Sequence, residues 1–242
     1  AERLALARQV QQRERIAVQP QRRIGRRGGI GEQFQYGGDA RRGFVEVDAQ
    51  LDVIDQEWRW LIVGEADRVF DLLQVAPGMR VADIGAGSGY YAVRLARRLG
   101  PAASLVAEDI DAGYLAELRG RLDRLGLTAV RTVLGQPDDP SLPAATVDLA
   151  LLSHMYHEVS APYAFLLRLR SALAAGGRVA VIDLDRPILE HGTPLALLRC
   201  EMAASGYREV AQDWLLPADG YLAVFTPTVR APDPASIEPC NE

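Results

Sequence analysis

The segment VADIGAGSGYY, from Val81 to Tyr91, concentrates the residues of this sequence that are best suited to holding a small ligand. It carries glycines at positions 85, 87 and 89, and an acid, Asp83, two residues before the first of them. Because glycine has no Cβ, it tolerates positive φ and lets the backbone approach a ligand closely. The segment also opens a helical pattern, and the free N–H groups at a helix start favour a bound ligand. The spacing therefore predicts a ligand site at a strand-to-helix turn.

The residues that this loop lacks narrow the chemistry of the ligand. A dinucleotide fingerprint has its third glycine at the position that Tyr90 occupies here. A phosphate loop needs a lysine, and all 27 basic residues of this chain are arginine. Asp83 also disfavours a polyanion, so we expect a ligand that carries a cationic group.

A second cluster of reactive side chains lies in the segment VDLALLSHMYHE. Ser153 and His154 come at the end of a predicted strand, and His157 follows three residues later. Histidine titrates near neutral pH and is a natural general base. His154 and His157 are therefore candidate catalytic residues, with structural bracing of the loop as the alternative for His157. The third histidine, His191, is expected at the surface.

Apolar strands alternate with amphipathic helices over most of the chain. The predicted strands are MRVADIG, SLVAED, AVRTVLG, VDLALLS, RVAVIDLD, REVAQDWL and YLAVFT, of which the last two are expected to form an antiparallel pair. The predicted helices cover 47–63, 65–73, 90–99 and 112–125, followed by one capped by Ser160 and one opened by Thr193 and Pro194. The alternation predicts an α/β fold with a doubly wound, mostly parallel seven-stranded sheet and a final antiparallel strand.

Composition divides the 242 residues into three predicted parts. Residues 1–44 hold ten arginines against four acids and few large apolar side chains, which predicts a flexible arginine- and glycine-rich tail. Residues 45–228 form the predicted domain, with an N-terminal helical lid, and 229–242 a C-terminal tail. Beyond residue 44, 17 arginines face 28 acids, so we do not expect nucleic acid as a partner of the main domain.

Membrane and cysteine signals are weak. No run reaches the roughly 18 uninterrupted apolar residues of a membrane span, and no apolar secretion signal opens the sequence. We therefore expect a cytoplasmic protein without a membrane partner. Disulfides and thiolate metal sites are not expected from two cysteines. Cys200 is predicted to be a small core residue, and Cys240 lies in a polar tail.

In their order and spacing, these motifs resemble those of the class I S-adenosylmethionine-dependent methyltransferases. VADIGAGSGYY is similar to the first motif of that family, LVAEDID to the second and VDLALLSHMYHE to the fourth. The resemblance extends from about residue 65 to 225. It implies a Rossmann-like fold, S-adenosylmethionine as the cofactor, and methyl transfer to an acceptor.

The resemblance also implies roles for individual residues. Asp83 would lie near the ammonium group of the cofactor. Asp109 would accept hydrogen bonds from both ribose hydroxyls, unless it is only a helix N-cap. Ile110 would contact the adenine, and Asp138 would lie near its amino group unless DDP is only a turn. The residues implied to contact the cofactor are Asp83, Gly85, Ala86, Gly87, Gly89, Asp109, Ile110, Asp138, Ser153 and His154.

Three functions stay open on the sequence alone. The first is methyl transfer to a small-molecule acceptor. This acceptor is the default because the fourth motif lacks the signatures of enzymes that methylate nucleobases, glutamine, catechols or arsenic. No metal is expected. The second is a non-catalytic S-adenosylmethionine-binding regulatory protein. The third is an RNA methyltransferase that uses the basic arm 1–44. Trp58 and Trp60 are candidate lid residues beside an acceptor pocket, and a homodimer is compatible with the sequence.

Overall fold

The computed structural model describes residues 64–215 and 219–240 of the chain. The helix predicted over 47–63, with Trp58 and Trp60, lies outside these ranges, as does the arginine-rich segment 1–44. The division of the chain into three parts therefore stays a prediction.

Seven strands form a single sheet in the described part of the chain. They are β1 (Arg80–Ile84), β2 (Ser104–Asp109), β3 (Val130–Leu134), β4 (Val147–Ser153), β5 (Leu173–Leu184), β6 (Tyr207–Trp214) and β7 (Gly220–Pro227). Their order across the sheet is β3-β2-β1-β4-β5-β7-β6. Neighbours among β1 to β5 are parallel, and β7 is antiparallel to both β5 and β6. The predicted seven-stranded, mostly parallel sheet is confirmed, including its antiparallel pair.

Five α-helices within the described ranges cover the two faces of this sheet. They are α1 (Glu65–Leu72), α2 (Tyr90–Leu99), α3 (Ala112–Arg124), α4 (Pro162–Ala172) and α5 (Leu195–Ala204). The buried side chains of α4 and α5 form one core with one face of the sheet, and those of α1, α2 and α3 pack on the other face. Since both faces are covered, the central strands are apolar over most of their length rather than alternating.

Helix starts follow the sequence only in part. Asp111 caps α3, since its Oδ1 accepts the N–H of Gly113 at 2.6 Å. The prediction that Ser160 caps a helix is wrong, because α4 begins at Pro162 and its N-cap position, residue 161, has no side-chain cap. A proline suits the first turn because the N–H that it lacks has no partner there. Thr193 donates its hydroxyl to Asp183 at 2.9 Å instead of capping α5, which begins two residues later.

The topology places a crevice beside the glycine loop. The chain passes from β1 to β2 on one side and later returns to β4 on the other, so strand order reverses at β1. In open α/β sheets, ligands bind at such a point, beyond the carboxyl ends of the strands. The loop from residue 85 to 89 begins at this edge and leads into α2.

A disulfide joins Cys200 on α5 to Cys240, contrary to both cysteine predictions. Cys200 is exposed rather than part of the core. The physical reason is long-range: the segment after β7 folds back over α4 and α5 and brings Cys240 to the outer face of α5. The N–H of residue 240 donates to the hydroxyl of Tyr163 on α4 at 2.6 Å, and Arg170 donates to the carbonyl oxygen of Thr228. Over 64–215 and 219–240, no helix is long and apolar enough to cross a membrane.

Candidate functional site

A pocket with a volume of about 200 Å³ opens beside the glycine loop, at the carboxyl ends of β1 and β4. It brings together the end of β1, the loop, the first turn of α2 and the end of β4. Its lining residues are Asp83, Gly85, Ala86, Gly87, Ser88, Tyr90, Tyr91, Ser153 and His154. Six of the residues implied to contact the cofactor thus meet at a common wall, although Asp83 and His154 are 71 positions apart in the sequence.

The three loop glycines differ in what they make room for. A Cβ on Gly85 would lie 2.8 Å from Cγ of Met155, and one on Gly89 would lie 2.3 Å from Cδ1 of Leu118. These two glycines therefore allow close packing of the loop. A Cβ on Gly87 would meet no atom of the described residues within 4 Å, while its φ of +52° is positive, as at the other two glycines. Gly87 therefore provides the left-handed backbone and leaves open space on the ligand side.

Asp109 lies at the end of β2, as predicted, and its carboxylate contacts the glycine loop. Oδ2 accepts the N–H of Gly87 at 2.8 Å, and Oδ1 accepts the N–H of Asp111 at 2.8 Å. An ionised carboxylate has about four acceptor positions. Two remain for donors such as a pair of ribose hydroxyls, so the geometry fits the role implied for Asp109.

Asp83 is buried at the pocket wall with an exposed fraction of 1 %. Neither of its carboxyl oxygens accepts a hydrogen bond of normal geometry from the described residues, although the backbone amide of Ala92 lies near. Burial raises the pKa of Asp83 to about 8, and the Asp109 charge adds to this, while the backbone amide of Ala92 acts in the opposite direction. A buried carboxyl without a partner favours a cationic ligand, directly or through water.

Glu108 is a second buried acid that the sequence analysis missed. Its Oε2 lies 3.4 Å from the N–H of Gly85, and its backbone oxygen accepts the N–H of Ala86 at 2.8 Å. Burial raises the pKa of Glu108 to about 8, with Asp109 and Asp83 adding to the shift. The carboxyl groups of Glu108, Asp83 and Asp109 therefore make the surroundings of the glycine loop strongly acidic. A ligand with an ammonium or sulfonium group relieves their mutual repulsion.

Glu65, at the start of α1, forms a hydrogen-bonded cluster with two residues of the pocket wall. Its Oε1 accepts the hydroxyl of Tyr91 at 2.6 Å and lies 2.9 Å from Nε2 of His154. The Glu65 side chain is 4 % exposed and that of His154 is 25 % exposed. Glu65 was not among the predicted site residues, because it lies 89 positions from His154 and only the fold joins them.

Burial lowers the pKa of His154, but the hydrogen bond and charge of Glu65, with a contribution from Asp183, outweigh it and raise the pKa above its usual value. The backbone of His154 is also unusual. Its φ is +50°, in the left-handed region, and its N–H donates to the carbonyl oxygen of Ile182 at 2.7 Å. A non-glycine residue in this region stores strain, and such residues cluster at functional sites.

The other candidate base, His157, belongs to a separate buried cluster. Its Nδ1 lies 3.2 Å from both carboxyl oxygens of Asp183, which also accepts the hydroxyl of Thr193 at 2.9 Å. The His157 side chain is 7 % exposed and does not line the pocket. His191 is exposed, as predicted, and its ring lies edge-on to that of His157 at 6.0 Å. The structure thus separates the two candidate bases, and only His154 faces the pocket.

The two residues predicted to contact adenine lie away from this wall. Ile110 follows β2 and is 50 % exposed. Asp138 lies in a tight turn closed by hydrogen bonds between Gln136 and Asp139, and its carboxylate pairs with Arg168 of α4 at 2.5 Å. The adenine contacts of Ile110 and Asp138 stay predictions, and the turn that was the alternative for DDP is present. Within the described ranges, no group of three or more His, Cys, Asp or Glu side chains is arranged to hold a metal ion.

Comparison with known proteins agrees with this geometry. A family model of methyltransferase domains matches residues 81–177. The ubiquinone/menaquinone biosynthesis C-methyltransferase UbiE of Xanthomonas campestris pv. campestris is 30 % identical over 143 residues, which cover 59 % of this chain and 54 % of UbiE. The nocamycin O-methyltransferase of Saccharothrix syringae is 33 % identical over 109 residues, or 43 % of this chain and 39 % of that protein. The chain spans about half the length, or less, of these relatives.

The fold gives an independent comparison. The crystal structure of an S-adenosylmethionine-dependent methyltransferase from Aquifex aeolicus matches with a TM-score of 0.63 at 22 % identity, over 71 % of this chain and 92 % of that chain. The glycine loop, the acid that ends β2 and the pocket between β1 and β4 all lie at the carboxyl edge of the sheet, where open α/β sheets bind their ligands. In motif, sequence and fold, residues 81–177 of the chain are similar to the class I S-adenosylmethionine-dependent methyltransferases, whose cofactor is S-adenosylmethionine.

Proposed function

We propose that this protein transfers a methyl group from S-adenosylmethionine to an oxygen or carbon atom of a small-molecule acceptor. The observation that carries the proposal is Asp83, a buried carboxyl without a hydrogen-bond partner in the described residues, at the wall of a pocket that the glycine loop leaves open. Asp83 would receive the ammonium group of the cofactor. Asp109 would hold the ribose, with the two acceptor positions that Gly87 and Asp111 leave free.

The bound cofactor supplies an electrophilic methyl group on a sulfonium. The chain has to hold the acceptor in line with that group and keep water away from it. Ser153 and His154 form the β4 side of the pocket, and Tyr90 and Tyr91 form the α2 side. Their side chains would border the space into which the acceptor enters.

Of the two histidines near the end of β4, His154 is the proposed catalytic residue and His157 has a supporting role. His154 lines the pocket and is within reach of an acceptor placed beside Ser153. His157 is held by Asp183 behind that wall, so it would stabilise the segment that carries His154. This division agrees with the alternative that the sequence left open for His157, structural bracing of the loop.

The choice of acceptor atom in this proposal rests on the named activities of the relatives. One relative is named a C-methyltransferase and another an O-methyltransferase, so carbon and oxygen acceptors are the first candidates. Nothing in the described residues or among the relatives supports the non-catalytic function or RNA methylation. A cytoplasmic location also stays a prediction, and the Cys200–Cys240 disulfide is unusual for that compartment.

Calorimetry with S-adenosylmethionine and S-adenosylhomocysteine, followed by transfer of a radiolabelled methyl group to acceptor mixtures, tests the proposal. We expect one binding site for each nucleoside and label transfer to a phenolic, enolic or carbon acceptor. Removal of residues 1–44 should leave both unchanged. Binding of the nucleoside without methyl transfer to any acceptor class would favour the non-catalytic function. Methylation of RNA that is lost when residues 1–44 are removed would favour the RNA methyltransferase.

A further inference from the structure

The carboxylate of Glu65 and the imidazole of His154 form a pair whose geometry indicates the direction of proton transfer. We infer that Glu65 is a positioning residue that orients His154 as the base for an acidic hydroxyl, phenolic or enolic, on the acceptor. This inference rests on the proposed function and deepens it, because it names the kind of group that the acceptor must present.

The hydrogen bonds at Glu65 determine which nitrogen of His154 carries the proton. Oε1 of Glu65 faces two groups, the Tyr91 hydroxyl at 2.6 Å and Nε2 of His154 at 2.9 Å. A carboxylate can only accept, so both groups donate to it. The neutral imidazole of His154 is therefore protonated on Nε2 and keeps its lone pair on Nδ1. Among the described residues, Glu65 is the one hydrogen-bond partner of this side chain.

Burial and strain hold the pair in place. Glu65 is 4 % exposed, so its charge is poorly screened by water. The hydrogen bond from the N–H of His154 to Ile182 on β5 fixes the left-handed backbone from which the imidazole reaches Glu65. A carboxylate behind an imidazole strengthens the base and fixes its tautomer.

The strength of this base favours one kind of acceptor. The pKa of His154 is raised from 6.5, which still leaves a base for groups of moderate acidity. A phenol has a pKa of about 10 and is well matched to such a base. An aliphatic hydroxyl is far less acidic, so it is a poorer match, although an imidazole supported by a carboxylate can activate one. An amine in its neutral form needs no base at this position.

The step balances within the site. The bond from the acceptor oxygen, or from the carbon conjugated to it, to the methyl carbon forms as the methyl–sulfur bond breaks. The electron pair of the broken bond stays on sulfur, and the hydroxyl proton moves to Nδ1 of His154. The imidazolium that results is stabilised by Glu65. The other titratable groups that face His154 are Asp83 on β1, Tyr90 and Tyr91 on α2, and Asp183 on β5.

A Glu65→Gln variant tests the inference with a readout that does not depend on the acceptor. Glutamine keeps the shape and one acceptor oxygen but removes the charge. In protein with ¹³C-labelled histidine, NMR follows three imidazoles, and a His154→Asn spectrum identifies the relevant signal. We expect His154 to titrate above 6.5 in the parent protein and at lower pH in Glu65→Gln. The matched control is Glu117→Gln, on the exposed side of α3, which should leave the titration unchanged.

Methyl transfer to phenol, cyclohexanol and benzylamine provides the second readout. We expect faster transfer to phenol than to the other two probes, a decrease in kcat for phenol of about tenfold or more in Glu65→Gln with KM for S-adenosylmethionine unchanged, and an acid limb shifted to lower pH. An unshifted titration of His154, or transfer to benzylamine that Glu65→Gln leaves intact, would overturn the inference. If no probe reacts, the titration decides alone. Calorimetry separates the two proposals, because only the proposed function fails when the nucleoside does not bind.

Discussion

Oδ2 of Asp109 accepts the backbone N–H of Gly87 at 2.8 Å, so the acid that ends β2 fixes the middle of the glycine loop. The glycine loop and the acid at the end of β2, which are 22 positions apart in the sequence, thus form one structural unit. The loop holds the left-handed turn that leaves room for a ligand, and the carboxylate that would bind the ribose also holds that turn in place.

Replacement of Asp109 by Asn should weaken binding of the cofactor. The variant removes the charge that Gly87 and the ribose hydroxyls share, and a hydrogen bond to a charged group contributes about 1.5–3 kcal/mol. We therefore expect the Kd for S-adenosylhomocysteine to rise roughly 10- to 150-fold in calorimetry. Asp123→Asn, on the exposed side of α3, is the control and should bind like the parent protein. An Asp109→Asn variant with parental affinity would refute the ribose contact.

Substitutions at two loop glycines should separate packing from ligand space. Gly87→Arg adds a side chain where none of the described residues has an atom within 4 Å of the new Cβ, so the protein should fold, with a cost of about 1–2 kcal/mol for the left-handed backbone, but not bind the nucleoside. Gly89→Ala places a Cβ 2.3 Å from Leu118 and should lower the urea midpoint more than Gly87→Ala does. Normal binding by Gly87→Arg would show that the loop is not the site.

The pH dependence of stability should report the burial of Asp83. Its pKa is about 8 in the folded protein, against 3.8 for an exposed carboxyl, so the folded state holds the proton more tightly. This contribution to stability is complete below the unfolded value and is lost as the pH rises toward 8. The parent protein should therefore lose up to about 1.4 kcal/mol per pH unit between pH 5 and 8, relative to Asp83→Asn.

Urea unfolding of the ligand-free proteins at pH 5, 6.5 and 8 measures this difference. Glu108 acts in the same direction, because its pKa is also about 8, and it should keep a residual slope in Asp83→Asn. A cationic ligand favours the ionised Asp83, so affinity for S-adenosylmethionine should rise over the same pH range. Parallel stability curves for the two proteins would contradict a buried, protonated Asp83.

Reduction of the Cys200–Cys240 disulfide should destabilise the domain without abolishing the nucleoside site. The bond closes a loop over a sequence separation of 40, for which an effect of about 2–4 kcal/mol is expected. The thermal midpoint of the parent protein should fall in dithiothreitol, while that of a Cys200→Ser, Cys240→Ser variant should not respond to the reductant. An identical midpoint with and without reductant would show that the two thiols are not joined in solution.

The parts of the site that could be predicted from the sequence are those that neighbouring residues determine. Gly85, Gly87 and Gly89 follow a strand at short spacing, and Asp109 ends the next strand, so local pattern was sufficient to place them. The order of apolar segments likewise indicated the parallel sheet and its antiparallel pair. Ser160 shows the limit of such patterns, because the first turn of α4 uses Pro162 and needs no side-chain cap.

Contacts between distant segments could not be predicted in this way. Glu65 meets His154 only because α1 packs beside the end of β4, and no spacing rule joins positions 89 apart. Cys240 reaches Cys200 because the chain after β7 folds back over α4 and α5. His157 was a candidate base on the sequence, but its pairing with Asp183 places it behind the pocket wall.

The most direct test is a crystal structure of the protein with S-adenosylhomocysteine. The account predicts that the ribose hydroxyls lie within hydrogen-bond distance of the Asp109 carboxylate, with the amino-acid end of the nucleoside over Gly87 and beside Asp83. A nucleoside bound elsewhere, or a loop closed over the position of Gly87 with Asp109 turned away from the sugar, would contradict it.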